Sequence, residues 1–166
     1  MICVKTGSKR GTMNDSSINP LHKEMPCPCH SGQLYTKCCK IFHDRKEAPK
    51  DALLLMRSRY AAYALSLPLY IIETTHPDHP SAKRDLEEWK EEILLFYQNT
   101  KFENLEIIQF IPGTETAYVI FKASLSQNEH DCSFTEKSLF KKNKKRWLYR
   151  DAIYVKPLEP FAKLGR

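Results

Sequence analysis

Four of the six cysteines fall within thirteen residues, Cys27-Pro28-Cys29-His30-Ser31-Gly32-Gln33-Leu34-Tyr35-Thr36-Lys37-Cys38-Cys39, in the spacing C-x-C-x8-C-C. No other stretch restricts the local fold so strongly. Thiolates gathered this closely suggest one tetrahedral metal ion, and zinc suits four sulfur donors. Two other readings stand beside it: four unligated buried thiols, and a redox role for the adjacent Cys38-Cys39 pair. Pro26 and Pro28 restrict the backbone on either side of Cys27. In an extended C-x-C unit both side chains point the same way. Adjacent cysteines reach one ion only where the chain bends, since tetrahedral sulfurs lie about 3.8 Å apart around zinc. The sequence therefore predicts an extended knuckle, a turn at Ser31-Gly32 and a short helical segment carrying Cys38 and Cys39. A closed four-thiolate set leaves no position for water, so its expected role is structural. Lys37 and Lys40 flank the second pair and would offset part of the thiolate charge. With Leu34, Tyr35, Ile41 and Phe42 as its only sizeable apolar residues, such a module needs metal for much of its folding energy.

This stretch resembles the SEC-C motif, on Cys27, Cys29, Ser31, Gly32, Tyr35, Cys38 and Cys39. His30 stands where the motif usually has glycine, and with four thiolates present it is not read as a ligand. A related motif ends the protein-translocation ATPase, where it serves docking, so the resemblance implies a protein or ribosome contact through the zinc module.

The rest of the 166 residues is long enough for one further domain. Residues 1–22 are polar and aperiodic and read as a disordered arm, with Cys3 an incidental thiol. The knuckle occupies 23–45. Lys40 to Lys50, charged and ending in Pro49, reads as a boundary. Asp51 is a candidate N-cap, and Leu53, Met56, Tyr60, Tyr63 and Leu67 then recur at helical spacing. Pro68 interrupts that helix, and Leu69 to Ile72 continue as a second. Ser81 is a candidate cap for a third, whose buried face would carry Leu86, Trp89, Ile93 and Phe96. Strands follow at Leu105–Ile111, Ala117–Leu125, Cys132–Phe140 and Trp147–Val155, joined by short turns at Pro112-Gly113, Gln127-Asn128-Glu129 and Lys141–Arg146. Helices first and strands later predict an α+β domain over 50–157, an antiparallel sheet of about four strands with helices on one face, and a tail over 158–166.

Several polar residues invite a functional reading. Alternation puts Phe134, Glu136, Ser138 and Phe140 on one side of the third strand, and Trp147, Tyr149 and Asp151 together on the fourth. A buried Glu136 needs a partner, and Arg57 or Arg59 in the first long helix would supply one. The candidate pocket residues are Arg57, Arg59, Tyr63, His76, Glu136, Ser138, Trp147 and Tyr149; a structural ion pair bracing helix to sheet explains the same residues. His76-Pro77-Asp78-His79-Pro80 fits a metal reading or a plain proline turn. Lys141, Lys142, Lys144, Lys145 and Arg146 could touch nucleic-acid phosphates or form a solvated hairpin tip. The formal net charge of +6 fits either. No nucleophile–base pair or catalytic metal spacing stands out, so no reaction class follows.

A second resemblance covers roughly residues 25–156. The cysteine stretch, then Leu55-Met56-Arg57-Ser58-Arg59-Tyr60-Ala61-Ala62-Tyr63, Thr75-His76-Pro77, Arg84, Leu86 and Trp89, then Phe134, Glu136, Ser138, Phe140 and Arg146-Trp147-Leu148-Tyr149, are similar to the YchJ family of uncharacterised proteins. The resemblance implies a cystatin-like cone domain of the nuclear-transport-factor-two (NTF2) type: helices curled against a bent sheet. It carries no established activity. Three expectations remain: a zinc-binding protein- or ribosome-interaction module on a cone scaffold, a small-ligand binder or enzyme using the concave face, and an RNA binder. No apolar run reaches the roughly 18 residues of a membrane helix, and the expected location is the cytoplasm, where thiols stay reduced.

Overall fold

A computed structural model describes residues 24–156, with side chains to Ile153. The expected arm at 1–22, Cys3 and the tail at 158–166 lie outside the described residues.

The chain first makes the knuckle. An isolated bridge pairs Pro26 with Leu34, and the Cys27 amide donates to the Gln33 carbonyl at 2.8 Å. The reversal between them uses two left-handed residues, His30 (φ 55°) and Gly32 (φ 80°). Glycine adopts that conformation at little cost and histidine does not, which explains why the position of His30 suits glycine in the motif. A 3-10 turn at Tyr35–Lys37 leads to Cys38 and Cys39, and helix α1 (Lys40–His43) starts directly after Cys39. The predicted bend between the two cysteines is thus the junction of the 3-10 turn and α1.

Helix α2 (Ala52–Ala64) starts at Asp51, whose carboxylate accepts from the Leu54 amide at 2.8 Å. The residues at helical spacing do pack inward, but burial extends beyond them: Ala52, Leu55, Met56, Ser58, Arg59, Tyr60, Ala61 and Ala62 are all buried. A helix buried all round lies inside the protein, and α2 indeed meets three clusters. Ala52, Leu55, Met56 and Tyr60 pack on the sheet, Ala62 packs with Tyr70, Ile71, Trp89 and Ile93, and Ala61 packs with the cysteines. Helix α3 (Pro68–Glu73) has proline in its first turn, where no amide donor is lost.

Helix α4 (Leu86–Asn99) is capped by Asp85, which accepts from the Glu87 and Glu88 amides, both at 3.0 Å. Ser81, the expected cap, instead sits in a 3-10 turn at Pro80–Lys83. Trp89 and Ile93 are buried as expected, but Leu86 is 49% exposed, because it occupies the first turn, beyond the packed surface.

Strands β1 (Lys101–Ile111), β2 (Thr116–Gln127), β4 (Phe134–Asn143) and β5 (Arg146–Lys156) form an antiparallel sheet in the order β1-β2-β4-β5, and the two-residue β3 (His130–Asp131) pairs with β2. At Gly113 a side chain would collide with the Thr116 carbonyl oxygen, so the β1–β2 connection requires glycine. The expected basic turn shrinks to Lys144-Lys145, both at positive φ (48° and 67°), the geometry of a two-residue hairpin loop. Lys141 and Lys142 belong to β4. Each edge strand has two register shifts, which bend the sheet and blunt its edges. The shift between Leu139 and Phe140 skips Arg150 on β5. As a result Trp147 is buried and Asp151 is exposed, and the expected common face for Trp147, Tyr149 and Asp151 fails at Asp151.

Replacing Asp51 with alanine removes the α2 cap and is expected to lower stability by about 1 kcal/mol. Urea unfolding reads this as a lower midpoint at unchanged slope; an unchanged midpoint contradicts the capping role.

Candidate metal centre and polar cluster

The four sulfurs of Cys27, Cys29, Cys38 and Cys39 lie within 4.8 Å of one another. Cys29 Sγ is 3.6 Å from Cys38 Sγ, which is 3.8 Å from Cys39 Sγ. These separations match the roughly 3.8 Å edge of a tetrahedral thiolate site. Cys27, Cys29 and Cys39 are buried and Cys38 is half-buried. The Ser31 hydroxyl lies 3.2 Å from Cys38 Sγ. Crowding shifts three of these thiols. Hydrogen bonds from Cys27 and Cys39 hold the Cys29 thiol far below its usual range. Cys27 is pushed up to about 12, first by its hydrogen bond with Cys29, and Cys39 is pushed up by its bonds with Cys27 and Cys29. Four thiolates packed this closely would repel one another, and holding them together requires a cation. The donor set fits a closed metal site. The Lys40 ammonium, expected beside the thiolates, bonds both Asp44 oxygens at 2.8 Å.

The knuckle is locked to α2 by side chains. Arg57 Nη1 donates to the Cys29 carbonyl at 2.8 Å. His43 lies buried between Tyr35 and Ser58: its Nε2 is 2.8 Å from the Ser58 carbonyl, and its Nδ1 is 2.8 Å from the Tyr35 hydroxyl. A carbonyl only accepts, so Nε2 carries the proton and Nδ1 accepts from Tyr35. Burial lowers the His43 pKa, consistent with that neutral form. Sequence reasoning missed His43 because it stands in the charged stretch read as a boundary.

The other pocket candidates do not form one site. Arg57 serves the knuckle, and the Trp147 indole donates to the Lys50 carbonyl at 3.2 Å, clamping the linker. Glu136 and Ser138 face inward and are buried (2% and 1% exposed). Glu136 Oε1 accepts from the Ser138 and Tyr149 hydroxyls. Arg59 Nη1 donates to the Ile71 carbonyl and the Thr74 and Thr75 hydroxyls at 2.8, 2.7 and 3.2 Å, and its guanidinium stacks 4.6 Å from the centre of the Tyr149 ring. The expected ion pair to Glu136 is not made; Tyr149 stands between them. Tyr63 is in the same field, its hydroxyl pKa raised chiefly by burial and then lowered in part by Arg59. The His76 amide donates to the Tyr149 carbonyl at 2.7 Å, and the Tyr149 amide to the Thr74 carbonyl at 2.9 Å, so residues 74–76 extend the sheet beside β5. Of the two readings of His76–Pro80 the turn is the one seen: His76 Nδ1 and His79 Nδ1 accept the backbone amides of Asp78 and Ser81. On the basic hairpin, Lys142 lies over the Trp147 ring, 5.1 Å from its centre, while Lys141, Lys144, Lys145 and Arg146 are exposed.

A cysteine knuckle fastened to an α+β domain with an antiparallel sheet defines the class: a SEC-C motif protein with an NTF2-like domain. Residues 51–152 match the model of the YchJ middle NTF2-like domain, and the chain belongs to the YchJ family, UPF0225. It is 38% identical over 134 residues to a UPF0225 protein of Haemophilus influenzae, covering 79% of each chain. It is 35% identical over 127 residues to one of Deinococcus radiodurans, covering 76% of this chain and 88% of that one. The solution structure of a SEC-C motif containing protein from Rhodopseudomonas palustris is similar with a TM-score of 0.69 at 30% identity, covering 77% of this chain and 97% of that one. A crystal structure of a SEC-C motif containing protein from Psychrobacter arcticus gives 0.63 at 27%, covering 78% and 81%. No helix among the described residues is long and apolar enough to cross a membrane.

Two outcomes follow. His43→Phe removes the bonds to the Tyr35 hydroxyl and the Ser58 carbonyl and should cost about 1–3 kcal/mol in urea unfolding; a loss below about 0.5 kcal/mol, the size of an ordinary surface substitution, contradicts the brace. For Glu136, burial raises the folded pKa above the ordinary glutamate value of 4.5. The advantage of its protonated form is complete below about pH 4.5 and disappears as pH rises through the folded value. Glu136→Gln, neutral at every pH, should therefore gain stability relative to the native chain as pH climbs from 4.5 to 7, and a difference that shrinks over that range contradicts a buried, raised carboxyl.

Proposed function

We propose that the protein is a zinc-stapled docking module of the cytoplasm. Zinc is the metal this donor set favours, since four thiolates in a closed tetrahedron suit a redox-inert cation and leave no position for chemistry. The observation that carries the docking reading is a depression of about 700 Å³ with the knuckle as one wall. Met25, Pro28 and His30 line that side, and Leu65, Tyr97 and Phe102 line the other. Its shape therefore depends on the metal. A partner protein segment, free or on the ribosome, would lie in it, with apolar contacts to Leu65 and Phe102 and polar contacts to the exposed rim.

Affinity capture from the native cytosol tests this, with nuclease-treated and untreated arms. Cys27→Ser, with metal loss confirmed, and the paired groove change His30→Asp with Tyr97→Ala, which keeps all four cysteines, should each reduce capture of the same partner at least about tenfold, or 1.4 kcal/mol. Undiminished capture by metal-free Cys27→Ser contradicts the proposal. Loss of the partner only on nuclease treatment points to an RNA-borne or ribosomal partner, and only the groove variants then decide whether it uses this surface.

A further inference from the structure

Residues 134–150 hold seven basic residues and one acidic residue, Glu136, a balance equal to the formal net charge of +6 for the whole chain. The remainder of the chain is neutral in sum. Glu136 is turned into the core, so the surface of this stretch is cationic throughout. The excess charge therefore belongs to one hairpin, β4 and the start of β5, and is not a coat spread over the protein.

Strand alternation places the charges. Glu136, Ser138 and Phe140 face the core, so Lys137 and Lys141 stand on the opposite face of the sheet, away from the helices. Lys144 and Lys145 make the tip and Arg146 follows it; these three and Lys141 are exposed. At strand rise the row from Lys137 to the tip is about 23 Å long. Two carboxylates border it: Glu115, whose carbonyl accepts from the Lys142 amide at 3.0 Å, and Asp151, which pairs with Arg150 at 3.6 Å. The rings beside the row are already engaged. Lys137 Nζ lies 4.8 Å from the centre of the half-buried Tyr118 ring, and Lys142 covers the buried Trp147. Neither ring is a free platform for a base, which single-strand binding uses. The tip, Asn143 to Arg146, has no apolar side chain to enter a bilayer. A double helix turns its bases inward and presents dense rows of phosphates, and that is the polyanion a row of cations without stacking rings suits.

We infer that the β4–β5 hairpin is a docking surface for double-helical nucleic acid, with Lys137, Lys141, Lys144, Lys145 and Arg146 following one row of phosphates. The contact reads neither base nor sugar. It stands independently of the docking reading, since none of these five residues lines the knuckle groove.

The test is fluorescence anisotropy of the full-length, metal-loaded protein with labelled 20-base-pair RNA and DNA duplexes and a 20-nucleotide single strand. Four or five phosphate contacts give a slope of about −4 for log affinity against log salt. The two duplexes should bind within about threefold of each other, and the single strand at least about fivefold more weakly. Lys141→Gln with Lys145→Gln should weaken duplex binding at least about tenfold and flatten the slope by about 2. Lys83→Gln with Lys90→Gln removes the same charge at α4 and the turn before it, and should leave binding within about twofold. Lys141→Arg with Lys145→Arg should keep the native slope, and so should the groove pair His30→Asp with Tyr97→Ala. A slope shallower than about −2 overturns the phosphate contact. Equal weakening by the two glutamine pairs overturns its location. A single strand bound as tightly as the duplexes overturns the choice of a double helix. Tighter capture on vesicles one-third phosphatidylglycerol than on either duplex overturns nucleic acid as the partner.

Discussion

Burying α2 on every side is the constraint on which the other contacts depend. A helix in that position carries its polar side chains into the interior, and each must find a partner. The Ser58 hydroxyl donates to the Leu55 carbonyl of its own helix at 2.9 Å and meets the Tyr70 hydroxyl of α3 at 2.8 Å. The Ser58 carbonyl meets His43. Arg57 reaches the Cys29 carbonyl, and Arg59 reaches α3 and the segment behind it. Knuckle, α3 and sheet are all attached through one turn and a half of α2.

That arrangement changes what the cysteines do. A small knuckle with few apolar residues has little to hold it together except a metal. Here it also supplies cover for α2, because Cys27, Cys29 and Cys39 pack around Ala61. A bulkier residue than Ala61 would hold the sulfurs away from the helix. The cysteine cluster is thus part of the domain's core as well as the knuckle's own.

Much of this was legible in the chain. The C-x-C-x8-C-C spacing located the site and its bend. Alternation placed Glu136, Ser138 and Phe140 inward on β4. The separate fates of Arg57 and Arg59, both listed as candidates for one pocket, were also readable: two residues apart on a helix they point about 200° from one another and do not line one site. Asp85 followed three residues later by Glu88 was an available capping signature that outranks Ser81. Two features had no local signal. The skipped Arg150 depends on how β4 and β5 pair, and that shift decides which side Asp151 faces. His43 is conspicuous only once Tyr35 and Ser58, 8 and 15 residues distant, are brought to it.

The most direct measurement is native mass spectrometry joined to hydrogen exchange before and after chelation. One zinc per chain is predicted, and its removal should strip protection from residues 25–43 and also from the buried turn of α2 at 57–62. A metal-free native chain, or chelation that frees the knuckle amides while α2 stays fully protected, contradicts a staple that the domain's central helix relies on.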